Sequence, residues 1–151
     1  MQTIEAKQEV AATTAPTTIK LTDLPKIGTA FAGGIYAGII GGTDNQPDYA
    51  LIHATVDFEL FDVKWAEAIT RAQEPINGLT DWSLPDRREA RLLTINTPDS
   101  FDVHEWYWTS SQDAGSTDYA WVQDFDDGSQ YCGHKSNEYR ARAVRRLLII
   151  Q

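Results

Sequence analysis

Residues 78–93 read GLTDWSLPDRREARLL, and this stretch indicates where a helix begins and which of its faces is buried. Asp86 and Glu89 have the spacing of a capping box, with Asp in place of the usual Ser or Thr. Leu92 and Leu93 follow at positions that face inward, while Arg87, Arg88 and Arg91 stay in water. The stretch therefore predicts a helix that starts directly after Asp86.

A second amphipathic helix is predicted upstream, over residues 63–73. Its apolar positions recur at i, i+3, i+4 and i+7 and form one stripe, which consists of Trp65, Ala68, Ile69 and Ala72. Asp62 is the predicted cap at its start. Pro75 and the Asn77-Gly78 pair end it.

Short β-prone segments flank the two helices. Strands are predicted over residues 31–40, 49–56, 106–110, 119–125, 130–135 and 139–148. Residues 126–129, with the sequence DDGS, are a strong hairpin-turn signal. This order of strands, two helices and more strands predicts a compact α+β domain over residues 29–151.

Residues 1–28 have a different character, because they are rich in Thr, Ala and Gln and show no lasting period. They are interpreted either as a disordered tail or as an extended arm that becomes ordered on a neighbouring subunit or a larger assembly. The apolar residues available to dock such an arm are Ile19, Leu21, Leu24 and Ile27.

Charge and cysteine content limit the possible functions. The 151 residues carry a net charge of −9, which argues against nucleic acid as a partner. Residues 131–151 reverse this trend, with five Lys or Arg against one Glu. These basic residues either bridge to acidic neighbours in the same domain or fit the acidic surface of another subunit. No apolar stretch is long enough to span a bilayer, so we expect no membrane insertion.

The sequence offers little support for catalysis or metal binding. Cys132 is the single cysteine, which excludes an intrachain disulfide, and the three histidines lack metal-ligand spacing. A thiolate pair of Cys132 with His134 is possible on one strand, but the spacing does not fix its geometry. The aspartates at 124, 126 and 127 are either a solvated hairpin tip or a Ca²⁺ site. We expect no cofactor.

Several segments together resemble a known family. They are GLTDWSLP at 78–85, RE at 88–89, LL at 92–93, YWTSS at 107–111, AWVQDF at 120–125, DG at 127–128, KS at 135–136 and RARAVR at 140–145. In this order they resemble the Lcl C-terminal domain family, whose domains occur in bacterial surface proteins and in phage genomes. The resemblance covers roughly residues 29–148.

The resemblance implies a C-type-lectin-like fold with two helices and small antiparallel sheets, in which the first and last strands pair. Formylglycine-generating enzymes of this fold need two active-site cysteines, and its sulfoxide synthases need three histidines, so neither activity is expected here. The calcium-dependent sugar motifs of classical lectins are missing too. Trp82 and Trp108 are expected in the core.

The candidate binding residues lie in the second half of the chain. If 106–110 is a strand, Trp106 and Trp108 share one face and Tyr107 points the other way, which makes Tyr107 a surface-contact candidate. The loop 112–118 and the strands beside it supply the other candidates, which are Gln112, Asp113, Asp118, Tyr131, His134 and Asn137.

These observations predict a non-enzymatic binding or assembly module. The expected context is a phage virion assembled in the bacterial cytoplasm, with the chain as a decoration, tail-tip or receptor-binding component tethered through its N-terminal arm. Its expected partners are other virion proteins or sister subunits in a homo-oligomer, with a trimer favoured by family analogy. The alternative is an adhesin-like module at the bacterial cell surface that binds a glycan or a host protein.

Overall fold

The computed structural model describes residues 17–151, and over this range the chain forms two helices and two five-stranded sheets. The strands are β1 (Thr18–Lys20), β2 (Ala30–Phe31), β3 (Gly34–Ile40), β4 (Tyr49–His53), β5 (Leu60–Val63), β6 (Trp106–Gln112), β7 (Tyr119–Asp124), β8 (Gln130–His134), β9 (Tyr139–Ala141) and β10 (Val144–Ile150). The helices are α1 (Trp65–Arg71) and α2 (Arg87–Asn96). The predicted α+β class is confirmed.

Both sheets are mixed, so the expectation of antiparallel sheets is wrong. The first sheet has the order β1-β10-β4-β3-β2, and β1 runs parallel to β10. The second sheet has the order β5-β9-β6-β7-β8, and β6 meets β9 in parallel. The strand at residues 31–40 does not pair with the last strand as expected, because β4 lies between β3 and β10.

The single strand predicted over residues 139–148 is two strands in different sheets. β9 belongs to the second sheet and β10 to the first, and the chain crosses between them at Arg142 and Ala143. The guanidinium of Arg142 turns into the interior, where it donates to the carbonyl oxygens of Ala54 and Ser100 at 3.1 and 2.9 Å. The alternating pattern of the sequence continues through this point, so it carries no sign of the crossing.

The part of the predicted arm that the structure describes, residues 17–28, lies on the domain itself. Thr18 to Lys20 pair with Leu148 to Ile150 as β1, and Ile19 and Leu24 pack against the larger hydrophobic core. Leu21 and Ile27 remain exposed. Residues 1–16 lie outside the described range.

The two helices follow their sequence signals to different degrees. The capping box of α2 is confirmed: the Asp86 carboxylate accepts from Glu89 N at 2.8 Å, and the Glu89 carboxylate accepts from Asp86 N at 2.9 Å. The predicted cap of α1 is wrong, since its N-cap is Lys64, which makes no side-chain cap. Asp62 instead belongs to β5, with φ at +51°. The apolar stripe of α1 does face the core.

The core residues Trp82 and Trp108 are buried as expected, and each indole has a carbonyl partner. Trp82 Nε1 donates to Ile76 O at 3.2 Å, and Trp108 Nε1 donates to Val63 O at 2.8 Å. A second, smaller cluster lies on the other side of the sheets and contains Leu93, Phe101 and Phe125.

Among residues 17–151, no helix has the length and apolar content needed to cross a membrane.

Candidate functional site

A row of aromatic rings in contact with one another runs from the core to the surface on one face of the second sheet. We call it the aromatic ladder, and it consists of Trp108, Tyr139, Trp106 and Tyr131. The ring centroids of Trp108 and Tyr139 are 4.9 Å apart, those of Tyr139 and Trp106 are 5.6 Å apart, and those of Trp106 and Tyr131 are 5.1 Å apart. Trp108 is buried, whereas Trp106 is 37% and Tyr131 40% exposed. The core therefore holds one end of a row whose other end faces solvent.

The alternation of strand residues places these rings together. Trp106 and Trp108 lie two residues apart on β6 and share a face, and Val122 of β7 pairs with both Trp108 and Tyr131. Gly133 makes room for the Tyr139 ring, because a Cβ at this position would lie 2.9 Å from the ring. The glycine is required by this close approach.

Tyr107 is not the surface residue that the alternation predicts. Its side chain is 3% exposed, because the opposite face of β6 is covered by Phe101 and Phe125, whose ring centroids lie 5.3 and 5.1 Å away. Its hydroxyl donates to Glu59 Oε1 at 2.9 Å and accepts from Asp102 N at 2.9 Å. Burial raises the pKa of Tyr107 to about 12, so the phenol stays protonated. The prediction of a surface-contact role for Tyr107 is wrong.

Two of the other candidate residues adjoin the aromatic ladder. Tyr131 is its outermost ring, and Asn137 Nδ2 donates to the Tyr139 hydroxyl at 3.0 Å. The Tyr139 ring is thus fixed on both sides, by Trp106 and by Asn137.

The remaining candidates lie around the loop that joins β6 to β7. Gln112 Oε1 accepts from Lys135 Nζ at 2.5 Å, and Asp113 Oδ1 accepts from Gly115 N at 3.3 Å. The main-chain oxygen of Asp118 accepts from Lys135 N at 2.9 Å. These contacts hold the loop against β8, so the structure brings Gln112, Asp113 and Asp118 to one end of the second sheet.

His134 lies three positions after Tyr131 on β8. Because side chains alternate between the two faces of a strand, the two residues lie on opposite faces. The His134 ring packs edge-on against Tyr119 at 5.2 Å, and its Nδ1 is 2.7 Å from Ser136 Oγ.

Cys132 is exposed, and partial burial together with the charge of Asp113 raises the pKa of its thiol. A raised pKa leaves less thiolate, which is the reverse of an activated cysteine.

The interior of the domain holds an ionic cluster that sequence reasoning missed. We call it the Glu59 centre, and it comprises Glu59, Arg140, Arg142 and Tyr107. The Glu59 carboxylate accepts from Arg142 Nη2, from Arg142 Nε at 3.1 Å and from Arg140 Nη1 at 2.8 Å. The Arg142 and Glu59 side chains are only 1% and 2% exposed. Nothing in the local sequence around Glu59 sets it apart from the other acidic residues.

Two further arginines of the basic C-terminal stretch are paired within the domain. Arg145 Nε lies 2.9 Å from Asp81 Oδ1, and Arg146 Nε lies 2.7 Å from Glu89 Oε2. Burial alone would raise the pKa of Glu89, but the hydrogen bonds and the charge of Arg146 hold it below the usual value. These pairs favour the first of the two interpretations of the basic stretch, in which it bridges to acidic neighbours of the same domain.

A cleft of about 490 Å³ lies beside the Glu59 centre. Its walls include His53, Val56, Asp99, Phe101, Asp102 and Arg140. His53 is fully buried, its Nδ1 donates to Ala54 O at 2.7 Å, and within the described residues its Nε2 has no hydrogen-bond partner. Burial lowers the pKa of His53 to about 4, so the imidazole is neutral near pH 7.

The aspartates of the β7–β8 turn bind the main chain of the turn itself. Asp124 Oδ1 accepts from Asp126 N, and Asp127 Oδ1 accepts from Ser129 N, both at 2.9 Å. The hydrogen bonds from Ser129 lower the pKa of Asp127. Across residues 17–151, no group of three or more His, Cys, Asp or Glu side chains is placed to hold a metal ion.

Fold and surface together define an α+β domain that has a charged interior and an exposed aromatic row. The sequence model of the Lcl C-terminal domain family matches residues 44–145, more than half of the chain. The chain therefore belongs to the Lcl C-terminal domain family. No curated protein matches its sequence.

Proposed function

We propose that this chain is a non-enzymatic binding module with a C-type-lectin-like fold, and that the exposed end of the aromatic ladder is its contact surface. The observation that carries the proposal is the exposure of Trp106 and Tyr131, which are 37% and 40% accessible and stacked on each other. Large rigid rings contribute much contact area at little cost in conformational entropy, and they dominate the energetics of interfaces.

The context that we favour is a phage virion, in which the chain acts as a decoration, tail-tip or receptor-binding component. Membership of the Lcl C-terminal domain family supports this context, because similar domains occur in phage genomes. Residues 1–16, the part of the predicted arm that lies outside the described range, are the tether in this proposal. The partners are then other virion proteins or sister subunits.

The virion context is tested on phage particles from a bacterium that carries the gene. The particles are purified on a density gradient, and an antibody against the chain is used on every fraction. Co-sedimentation with intact particles supports the proposal. A chain that stays at the top of the gradient with soluble proteins contradicts it.

A second candidate function is the binding of a glycan, and the same ladder favours it. Stacked Trp and Tyr rings offer flat apolar faces to the C–H groups of a sugar ring, while Asn137 supplies a hydrogen-bonding group beside the ladder. In this case the chain is an adhesin-like module, at the bacterial surface or on a particle, that recognises a host glycan or surface protein.

A glycan array probed with the full chain, with and without EDTA, tests this second candidate. The matched variants are Trp106→Ala, which removes the central exposed ring, and Tyr119→Ala, which removes a ring that is equally exposed but lies on the opposite face. Binding that is lost only in Trp106→Ala supports the ladder as the glycan surface. Silence of the unmodified chain in both buffers counts against it.

A further inference from the structure

The two sheets end in four strands within the described residues, and these edges are not alike. β1 has three residues and ends in Lys20, β2 has two residues, and β5 has an irregular register with Asp62 in the left-handed region. β8 has five residues, QYCGH, with no Asp, Glu, Lys, Arg or Pro, and its register with β7 is unbroken. Natural edge strands are usually protected by charge, proline or a bulge. β8 has none of these protections.

The hydrogen-bond pattern of β7 and β8 shows which groups β8 leaves at its edge. Asp124 N donates to Ser129 O, and Lys135 N donates to Asp118 O, so these two pairs are of the hydrogen-bonded kind. Such pairs alternate along an antiparallel ladder. The N–H and C=O groups of Tyr131 and Gly133 therefore face β7, and those of Gln130, Cys132 and His134 face away from it. Of the outward groups, His134 O already accepts from Asn137 N at 2.9 Å and has one lone pair left for a further donor.

We propose that β8 pairs with β8 of a second copy of this chain, antiparallel and about a two-fold axis that passes beside Cys132. The outward groups of Cys132 meet those of Cys132 of the partner subunit, and Gln130 meets His134 of the partner subunit. The pairing joins two five-stranded sheets into one continuous sheet. It is isologous and closed, so it produces a dimer.

The side chains of β8 are complementary to themselves in this register. Tyr131, the half-exposed end of the aromatic ladder, comes to lie opposite Gly133 of the partner subunit. Within each copy the Tyr139 ring packs over Gly133, so Tyr131 meets an aromatic ring across the edge. Aromatic pairs across neighbouring strands stabilise a sheet. The symmetry makes this contact twice, and it joins the two ladders on one face.

The charged side chains that flank β8 take no part in this pairing. Lys135 Nζ is held within its own copy by Gln112 Oε1 and lies over the Trp65 ring, and the Asp127 carboxylate accepts from Ser129 N of its own turn. The match therefore rests on the edge of the strand and on the aromatic ladder. An unrelated extended peptide would not bring a second aromatic ladder to the same face, so a second copy is the occupant that we infer.

The test uses the full chain and places a charge on the two-fold axis. Cys132→Lys and Cys132→Glu each put like charges opposite each other, so each variant alone is expected to raise the dissociation constant of the dimer at least roughly tenfold. An equimolar mixture of the two variants is expected to restore the dimer, because Lys then faces Glu. Analytical ultracentrifugation measures each state, and circular dichroism checks that each variant is folded.

Two controls separate the pairing from other effects. Cys132→Ser keeps the edge neutral and is expected to leave the dimer intact, and Ser110→Lys adds the same charge at an exposed site on β6, away from the edge. Treatment of the unmodified chain with diamide, which accepts two electrons and two protons, is expected to join the two Cys132 thiols as a disulfide. The Cα atoms of a hydrogen-bonded pair are about 5.5 Å apart, within disulfide range.

The proposal fails if the unmodified chain is a monomer at micromolar concentration. It fails equally if an oligomer, a trimer included, is unchanged in Cys132→Lys, or if the mixture of charged variants stays monomeric. Should the charged variants not fold, the diamide experiment decides: a covalent dimer formed by the unmodified chain supports the pairing, and its absence overturns it.

Discussion

The interior and the surface of this domain reverse the usual placement of side chains. The Glu59 centre buries an arginine and a carboxylate, Arg142 and Glu59, while the aromatic ladder leaves a tryptophan and a tyrosine in contact with solvent. Charged residues are seldom buried unless they are paired, and large apolar surfaces are seldom exposed without a use. The difference indicates that the charges serve the fold and the rings serve contact with another molecule.

This contrast predicts that the largest losses of stability come from the interior charges. Arg142→Met leaves the buried Glu59 carboxylate short of its main partner and removes the guanidinium that donates to Ser100 O and Ala54 O, so that Ala54 O keeps only its bond from His53. We expect a loss of about 3–5 kcal/mol in the free energy of unfolding, measured with urea. The matched control is Arg71→Met, which breaks the exposed pair with Glu67 and should cost no more than about 0.5 kcal/mol. Equal effects of the two substitutions would contradict the assignment.

The neutral interior histidine predicts a specific pH dependence. The pKa of His53 is lowered from 6.5 to about 4 in the folded domain, so the unfolded chain binds the proton first. The contribution of His53 to the free energy of unfolding is therefore fully present above about pH 6.5. It falls by about 3 kcal/mol as the pH drops from 6.5 towards 4.

The His53→Asn variant isolates this effect, because Asn keeps a donor for Ala54 O but does not titrate. Between pH 7 and pH 4, the unmodified chain should lose about 3 kcal/mol more stability than His53→Asn, measured by denaturant unfolding at each pH. His104→Asn, at an exposed position, should follow the unmodified chain. A difference of zero between the unmodified chain and His53→Asn would show that His53 is not held neutral.

The smallest effect on stability is expected at the exposed rings. Trp106→Ala removes contacts with Tyr131 and Tyr139 on a side that is partly in water, so the loss should be about 1 kcal/mol. Binding of the partner or glycan should weaken at least roughly tenfold, measured by titration calorimetry. An unfolding loss as large as that of Arg142→Met would place Trp106 with the core rather than with the contact surface.

Sequence reasoning succeeded where the determinants are local. The capping box of α2 requires only Asp86 and Glu89, and the β7–β8 turn follows from the residues within it. Trp82 and Trp108 were correctly expected in the core, because the family resemblance implied their roles.

It failed where a distant residue decides the outcome. Tyr107 is buried because Phe101 and Phe125 pack over the second face of β6, which alternation along the strand cannot show. The division of the last strand depends on Arg142 reaching Glu59, far away in the sequence. The Glu59 centre therefore could not be predicted from the local pattern.

The position of β10 has a consequence for the synthesis of the protein. β10 lies between β1 and β4, both of which precede it in the chain by many residues, and the arginines at 142, 145 and 146 neutralise Glu59, Asp81 and Glu89. A growing chain on the ribosome therefore lacks the centre of the first sheet and the partners of these carboxylates until residues 142–150 emerge. Folding of the domain waits for the synthesis of β10, and a product that ends before Arg142 has neither the strand that joins the first sheet nor the cations of its interior.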